Sequence, residues 1–299
     1  MRAQDLPTIT LATLVNDTAT AALYAVRSGL FRKAGLNVQL QTLTSGAAGA
    51  AAVAGGSAQF GLSSLVTLLT AHDRGVPFVL IAPAGIITPD VPYSQFVVRK
   101  DSTIKTARDL NGKTVGTPAL RDFDAVSIMN WVDANGGDSK TLKFIEMAGS
   151  VAAAAVEEGR VDGTVLNTPT LTRALDSGKV RVLAQTHDAI APRFANTGWF
   201  TTVDYATKNR DVVERFARVI GEANAYCNAH HGETVQLVAE NAKLDEKLVA
   251  RMPRVTFGDF LRPREIQPLI DLAAKYKTIA KPFEARDLIS PYAQKPPNG

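Results

Sequence analysis

The sequence predicts an α/β fold built as two similar lobes, joined by two crossover strands that form a hinge with a central cleft. Three observations lead there. Strand-like and helix-like runs alternate through the first third of the chain, the same order of runs then restarts, and a long helical tail follows the second set. Strands alternating with helices imply a mainly parallel sheet.

"TITLATL" (Thr8 to Leu14) reads as the first strand, and "NDTATAALYAVRSGLF" as a loop feeding a helix. "LNVQLQTL" (Leu36 to Leu43) alternates with period two and is a second strand. In "SGAAGAAAVAGGSAQFGLSS" (Ser45 to Ser64), Ser45 suits a helix N-cap, the alanines favour helix, and Gly55-Gly56 suits its end. A short buried strand ends at Ser63-Ser64, followed by a helix through "LVTLLTAHDRG" and the strand "FVLIAPAG". The order then begins again with "QFVVRKDSTI", the turn and strand of "ARDLNGKTVGTPA", the helix "DAVSIMNWVDANGG" and the strand "TLKFIEMAG". A small-residue helix in "SVAAAAVEEG" and a strand ending at Asn167-Thr168 complete it.

Thr44 to Ser64 lies over Met147 to Asn167 without a gap, a shift of 147 − 44 = 103 positions. Gly46 then falls on Gly149 and Gly56 on Gly159. Two copies at so long a spacing are two lobes, not a solenoid. The strand "VRVLAQT" and the return run "GWFTTVDYA" lead into the helical tail. Lobe one is therefore expected to comprise residues 1–95 and 200–299, and lobe two residues 96–199.

The 299 residues, 45% hydrophobic and 21% charged, have the composition of a soluble globular protein. Net charge is only +4, with bases scattered among acids, so nucleic acid is not an expected partner. No stretch is apolar and long enough to cross a membrane as a helix. The single cysteine, Cys227, lies in a helix-like run and is expected in the core. His72, His187, His230 and His231 are too dispersed for metal-ligand spacing. No nucleophile elbow, phosphate loop or zinc-protease motif is present, so no catalytic residue, metal or cofactor is expected.

"GLFRKAGLNVQL", "GGSAQFGLSS", "DLNGKTVGTP" and "GRVDGTVLNTP", in that order, resemble solute-binding proteins of ABC importers of the nitrate, sulfonate and taurine class. That family includes relatives that bind thiamine pyrimidine precursors, and a few enzymes. Gln59 stands where the family usually has Asp. The resemblance implies a type II periplasmic-binding-protein fold, a small-molecule ligand, a membrane permease as partner, a monomer, and a periplasmic location with the leader removed from this chain.

In such folds the ligand lies outside the carboxyl ends of the strands. That places Asn16, Asp17 and Thr18 after the first strand, Ser45 and Gly46 at a helix start, and Ser63 and Ser64 at a strand end. Each has a plainer role available as a turn former or cap. In lobe two the candidates are Leu120, Arg121, Phe123, Asn167 and Thr168, with Trp199 on the return crossing. Arg121 suits capture of a carboxylate or sulfonate, with the Ser45-Gly46 amides opposite it, or else pairs with Asp122. A small organic anion is the first reading. A neutral or heteroaromatic ligand, stacked on Tyr93, Phe123 or Trp199, is the second, and a cytosolic enzyme on this fold the third.

Overall fold

A computed structural model describes residues 6–43 and 45–294, with the backbone alone of Ser150. The chain's first five residues, Thr44 at the head of the 103-position overlay, and residues 295–299 of the lobe-one range lie outside the description.

The strands are β1 (Thr8–Leu14), β2 (Asn37–Leu43), β3 (Phe60–Ser64), β4 (Phe78–Pro83), β5 (Gly85–Ile87), β6 (Ser94–Arg99) and β7 (Thr114–Thr117). β8 (Lys143–Glu146), β9 (Gly163–Asn167), β10 (Val180–Ala184), β11 (Phe194–Ala195), β12 (Thr197–Thr202) and β13 (Thr256–Phe257) follow. The first sheet has the order β2-β1-β3-β12-β4, and the second, read from its far edge, β8-β7-β9-β6-β10. The two orders are one pattern. In each, three parallel strands are followed by an antiparallel strand that arrives from the other half of the chain. Strand pairing puts Ser94 in the second sheet and Thr197 to Trp199 in the first.

The 103-position shift reappears in the backbone. The helix Gly46–Ala54 maps onto Gly149–Glu157, and β3 onto β9, residue for residue. Gly56 and Gly159, which end the paired helices, have φ of 76° and 74°, a left-handed conformation that glycine adopts without strain.

Small residues in the first copy let the helix lie close to the sheet. Gly49 faces the Leu62 carbonyl, and a Cβ on Gly61 would meet the Phe200 ring at 2.6 Å. The other side of this sheet is aromatic, with Phe60 against Phe216, Phe216 against Phe31, and Trp199 edge-on to Phe216. The helix Arg210–Ala229 supplies Phe216 from a stripe of buried positions at helical spacing, Val213, Phe216, Ala217, Ile220, Ala223 and Cys227. Cys227 is thus a core residue, its thiol pushed up to about 12 by burial.

The chain passes between the sheets at residues 84–93 and 185–196. These passages pair through β5 and β11, and β13 from the tail joins on the other side of β5. The Gly85 amide donates to Thr197 Oγ1 at 2.7 Å, where any side chain at Gly85 would collide with that hydroxyl. The hinge is therefore a small sheet of three segments.

Candidate functional site

The carboxyl ends of β1, β3 and β9 and the hinge surround a cleft of about 230 Å³. β1 contributes Leu14 and the loop after it Asn16, Asp17 and Thr18. The first sheet adds Ser64 from β3 and Thr197 from β12, the helices Gly46–Ala54 and Leu65–Asp73 add Gly46 and Thr67, and the end of β9 adds Asn167 and Thr168. Tyr93 and Asn196 come from the passages, Val255 from the tail, and Asp122, Phe123 and Asp124 from the start of the helix Phe123–Ala134.

Local chemistry fixes most of these groups. Ser64 Oγ accepts from the Thr67 amide and caps the helix Leu65–Asp73. Thr18 Oγ1 donates to Asn16 Oδ1 at 2.6 Å. Asn196 Nδ2 donates to the Tyr93 hydroxyl at 2.7 Å, while its Oδ1 is buried without a partner. Burial raises the Tyr93 phenol, so it stays protonated.

Three carboxyl groups stand at the cleft, in different states. Asp17 accepts from Arg254 Nε and Nη2 at 2.8 Å each, from the Val255 amide at 2.8 Å and from Thr20 Oγ1 at 2.9 Å. Its charge is balanced, and it ties the first loop to the tail. Asp122 accepts from Thr117 Oγ1 and from the Ala119 and Ala125 amides, which cap the helix. Burial still raises it from the ordinary carboxylate range, against those hydrogen bonds. Asp124 is 7% exposed, and no donor among the described residues reaches its carboxyl. Burial, then the neighbouring Asp122, raises it well above the usual range. Among the described residues, none that lines the cleft is Lys or Arg.

Of the residues proposed from sequence, the cleft gathers Asn16, Asp17, Thr18, Gly46, Ser64, Phe123, Asn167 and Thr168. Five others lie elsewhere. Ser45 caps the helix Gly46–Ala54 through the Ala48 amide and borders a separate groove beside Val15. Ser63 points the opposite way from Ser64 along the strand and is buried beneath Gly46. Leu120 is half exposed, its amide bound to Glu146. Arg121 is exposed and outside the cleft, and it forms no ion pair among the described residues. The turn is drawn inward by Asp122, whose oxygens are already taken, so Arg121 is left facing out. Trp199 sits between Leu62 and Ala82 in the middle of the first sheet, wholly buried. The facing of Arg121 and the Ser45-Gly46 amides across the cleft is therefore not found.

A family model described as NMT1/THI5 like matches residues 16–234. The chain is a member of the NMT1/THI5-like family. No curated protein matches it by sequence. Solved structures similar to this NMT1/THI5-like chain include the periplasmic aliphatic sulphonate binding protein SsuA from Escherichia coli, at 19% identity and a TM-score of 0.80 over 97% of this chain and 94% of that one. The periplasmic nitrate-binding protein NrtA from Synechocystis PCC 6803 is 14% identical, with a TM-score of 0.79 over 97% and 88%. A Candida albicans protein with the generic periplasmic binding protein fold is 12% identical, with a TM-score of 0.76 over 97% and 98%. The NMT1/THI5-like chain thus has the periplasmic-binding-protein fold expected from its sequence.

Sequence reasoning missed Leu14, Thr67, Asp124, Asn196, Thr197 and Val255 as lining residues, held Asp122 only as a partner for Arg121, and held Tyr93 only for the heteroaromatic reading. A signal existed for Tyr93, Asn196 and Thr197, because residues next to a crossover stand between the lobes. Val255 carried none, since the tail's entry into the hinge leaves no local pattern.

Proposed function

We propose that this chain is the solute-binding component of an ABC importer, a periplasmic monomer and not an enzyme, that takes a small solute without negative charge, heteroaromatic ones included, rather than an organic anion. The lobes are residues 1–95 with 200–299, and 96–199, to within the few residues of the hinge. Family membership and the fold support the importer role. One observation carries the choice of ligand: among the described residues the cleft is lined by Asp122 and Asp124 and by no Lys or Arg. Burial makes either carboxyl reluctant to ionise, and where one is ionised an anion about 4 Å away is repelled by roughly 4 kcal/mol in surroundings of intermediate dielectric, nearly three decades in affinity. A sulfonate or carboxylate would need a cation to offset this. Arg254, which lies next to the lining residue Val255, is engaged by Asp17. The volume is below the roughly 300–1,000 Å³ usual for drug-sized ligands, so the solute is small.

A ligand-dependent melting screen at neutral pH tests this reading. Some solutes without negative charge should stabilise the protein, taurine and methanesulfonate should not, and Arg121→Ala should leave every response unchanged. Stabilisation by the sulfonates, lost in Arg121→Ala, would return the ligand to the organic-anion class. Fractionation of cells carrying the native gene checks the periplasmic location.

A further inference from the structure

We propose that Asp124 anchors a positively charged nitrogen, so that the cleft selects a compact organic cation: an amine, a guanidine or amidine, or a protonated ring nitrogen. This rests on the non-anionic reading above and narrows it.

The first turn of the helix Phe123–Ala134 holds two carboxyl groups with opposite fates. Asp122 is the N-cap, with donors at 3.0 Å (Thr117 Oγ1), 3.1 Å (Ala119 amide) and 2.8 Å (Ala125 amide). Asp124, two residues on, is buried to the same degree as a core side chain, lines the cleft, and has no donor among the described residues. An acid in a helix's first turn ordinarily complements the helix dipole, a role that needs no burial. The Asp124 carboxyl instead faces the cleft with no donor among the described residues, and burial keeps it reluctant to ionise until a positive charge arrives beside it. A cationic partner entering the cleft supplies that charge.

The surroundings specify what it is. Tyr93 and the Asn16, Asn167 and Asn196 amides are neutral, and Asp17 is balanced by Arg254, so nothing else in the cleft offsets Asp124. The second carboxyl, Asp122, adds to the negative potential. Phe123 and Tyr93 line the same space, and aromatic faces attract organic cations. A divalent metal fits poorly. Hard cations need several charged oxygens, and no group of three His, Cys, Asp or Glu able to hold a metal exists among the described residues.

Calorimetric titration of the full chain with charge-matched pairs tests the proposal: butylamine against butanol, and benzamidine against benzamide. At least one cation should bind tenfold or more tightly than its neutral partner, and Asp124→Asn should abolish that preference. A second readout needs no ligand. If the fold has no use for the charge, Asp124→Asn should raise the melting temperature of the free protein. Neutral partners binding as well as the cations, no cation binding by about 10 mM, or a lower melting temperature in Asp124→Asn would each overturn it. Neutral heteroaromatics that bind wild type and Asp124→Asn alike would overturn the cation anchor and leave the non-anionic reading standing. Binding of taurine would overturn both.

Discussion

His187 is wholly buried on the return passage, its ring 4.6 Å from that of Phe123, and its Nε2 has no hydrogen-bond partner. Burial lowers it from 6.5 to about 3, so the fold holds it neutral. An unfolded chain would protonate the same side chain near 6.5. The stabilisation is therefore complete above pH 6.5 and is lost as pH falls from there towards 3, at up to roughly 1.4 kcal/mol for each pH unit. Asp122 and Asp124 have raised values and act in the opposite sense over acid pH. Comparison with a variant isolates the histidine: between pH 7 and pH 4.5 the melting temperature of His187→Leu should fall less than that of wild type. Equal falls would show that His187 is not held neutral. At this scale the sequence reveals position better than direction. Asn16, Gly46, Ser64 and Asn167 follow from where strands end. The outward turn of Arg121 depends on three hydrogen bonds to its neighbour, and the burial of Trp199 on a strand that lies mid-sheet. Neither is written in the local pattern.

Among the elements, the small-residue helix and the strand after it were the most legible part of the chain, and the overlay located both copies to the residue. What the overlay did not contain is their unequal packing. A Cβ at Gly61 would meet Phe200 at 2.6 Å and Val53 at 3.0 Å, both in a filled core that has no space to receive them. At the overlaid pair Gly46 and Gly149, a Cβ at Gly46 would crowd the Ser63 hydroxyl, whereas one at Gly149 meets no described atom within 4 Å. Gly61→Ala should therefore destabilise by about 1–3 kcal/mol, lowering the melting temperature by roughly 2–12 °C, whereas Gly149→Ala should change it little. Thermal denaturation followed by circular dichroism measures both, and a tolerated Gly61→Ala would mean that the helix can retreat from the sheet. Gln59 shows the same limit. Its side chain accepts from the Thr10 amide at 2.8 Å and fixes β3 against β1, a role that the motif around it did not suggest.

For the whole molecule, alternation and repetition were enough to announce two lobes and a double crossing, because each rests on periodicities that a chain must display. The third hinge segment was not announced, since β13 is two residues long and its partner is far away in sequence. The position of β12 between β3 and β4 has a consequence for the order in which the molecule can be assembled. As the chain leaves the ribosome, every strand of the second sheet is present once Ala184 has appeared, but β4 still lacks β12, its sheet neighbour among the described strands. The lobe begun first is thus the last that can close. Until Thr197 to Thr202 arrive, β3 and β4 each present an open edge, the kind of surface on which nascent chains associate wrongly. In nascent chains arrested at increasing lengths and probed by pulsed hydrogen exchange, amides of β6 and β9 should gain protection at shorter lengths than those of β4. Simultaneous protection would mean that the two lobes fold as a single unit. If the order holds, a chaperone that shields the first sheet's edges would act on a chain whose second lobe is already built.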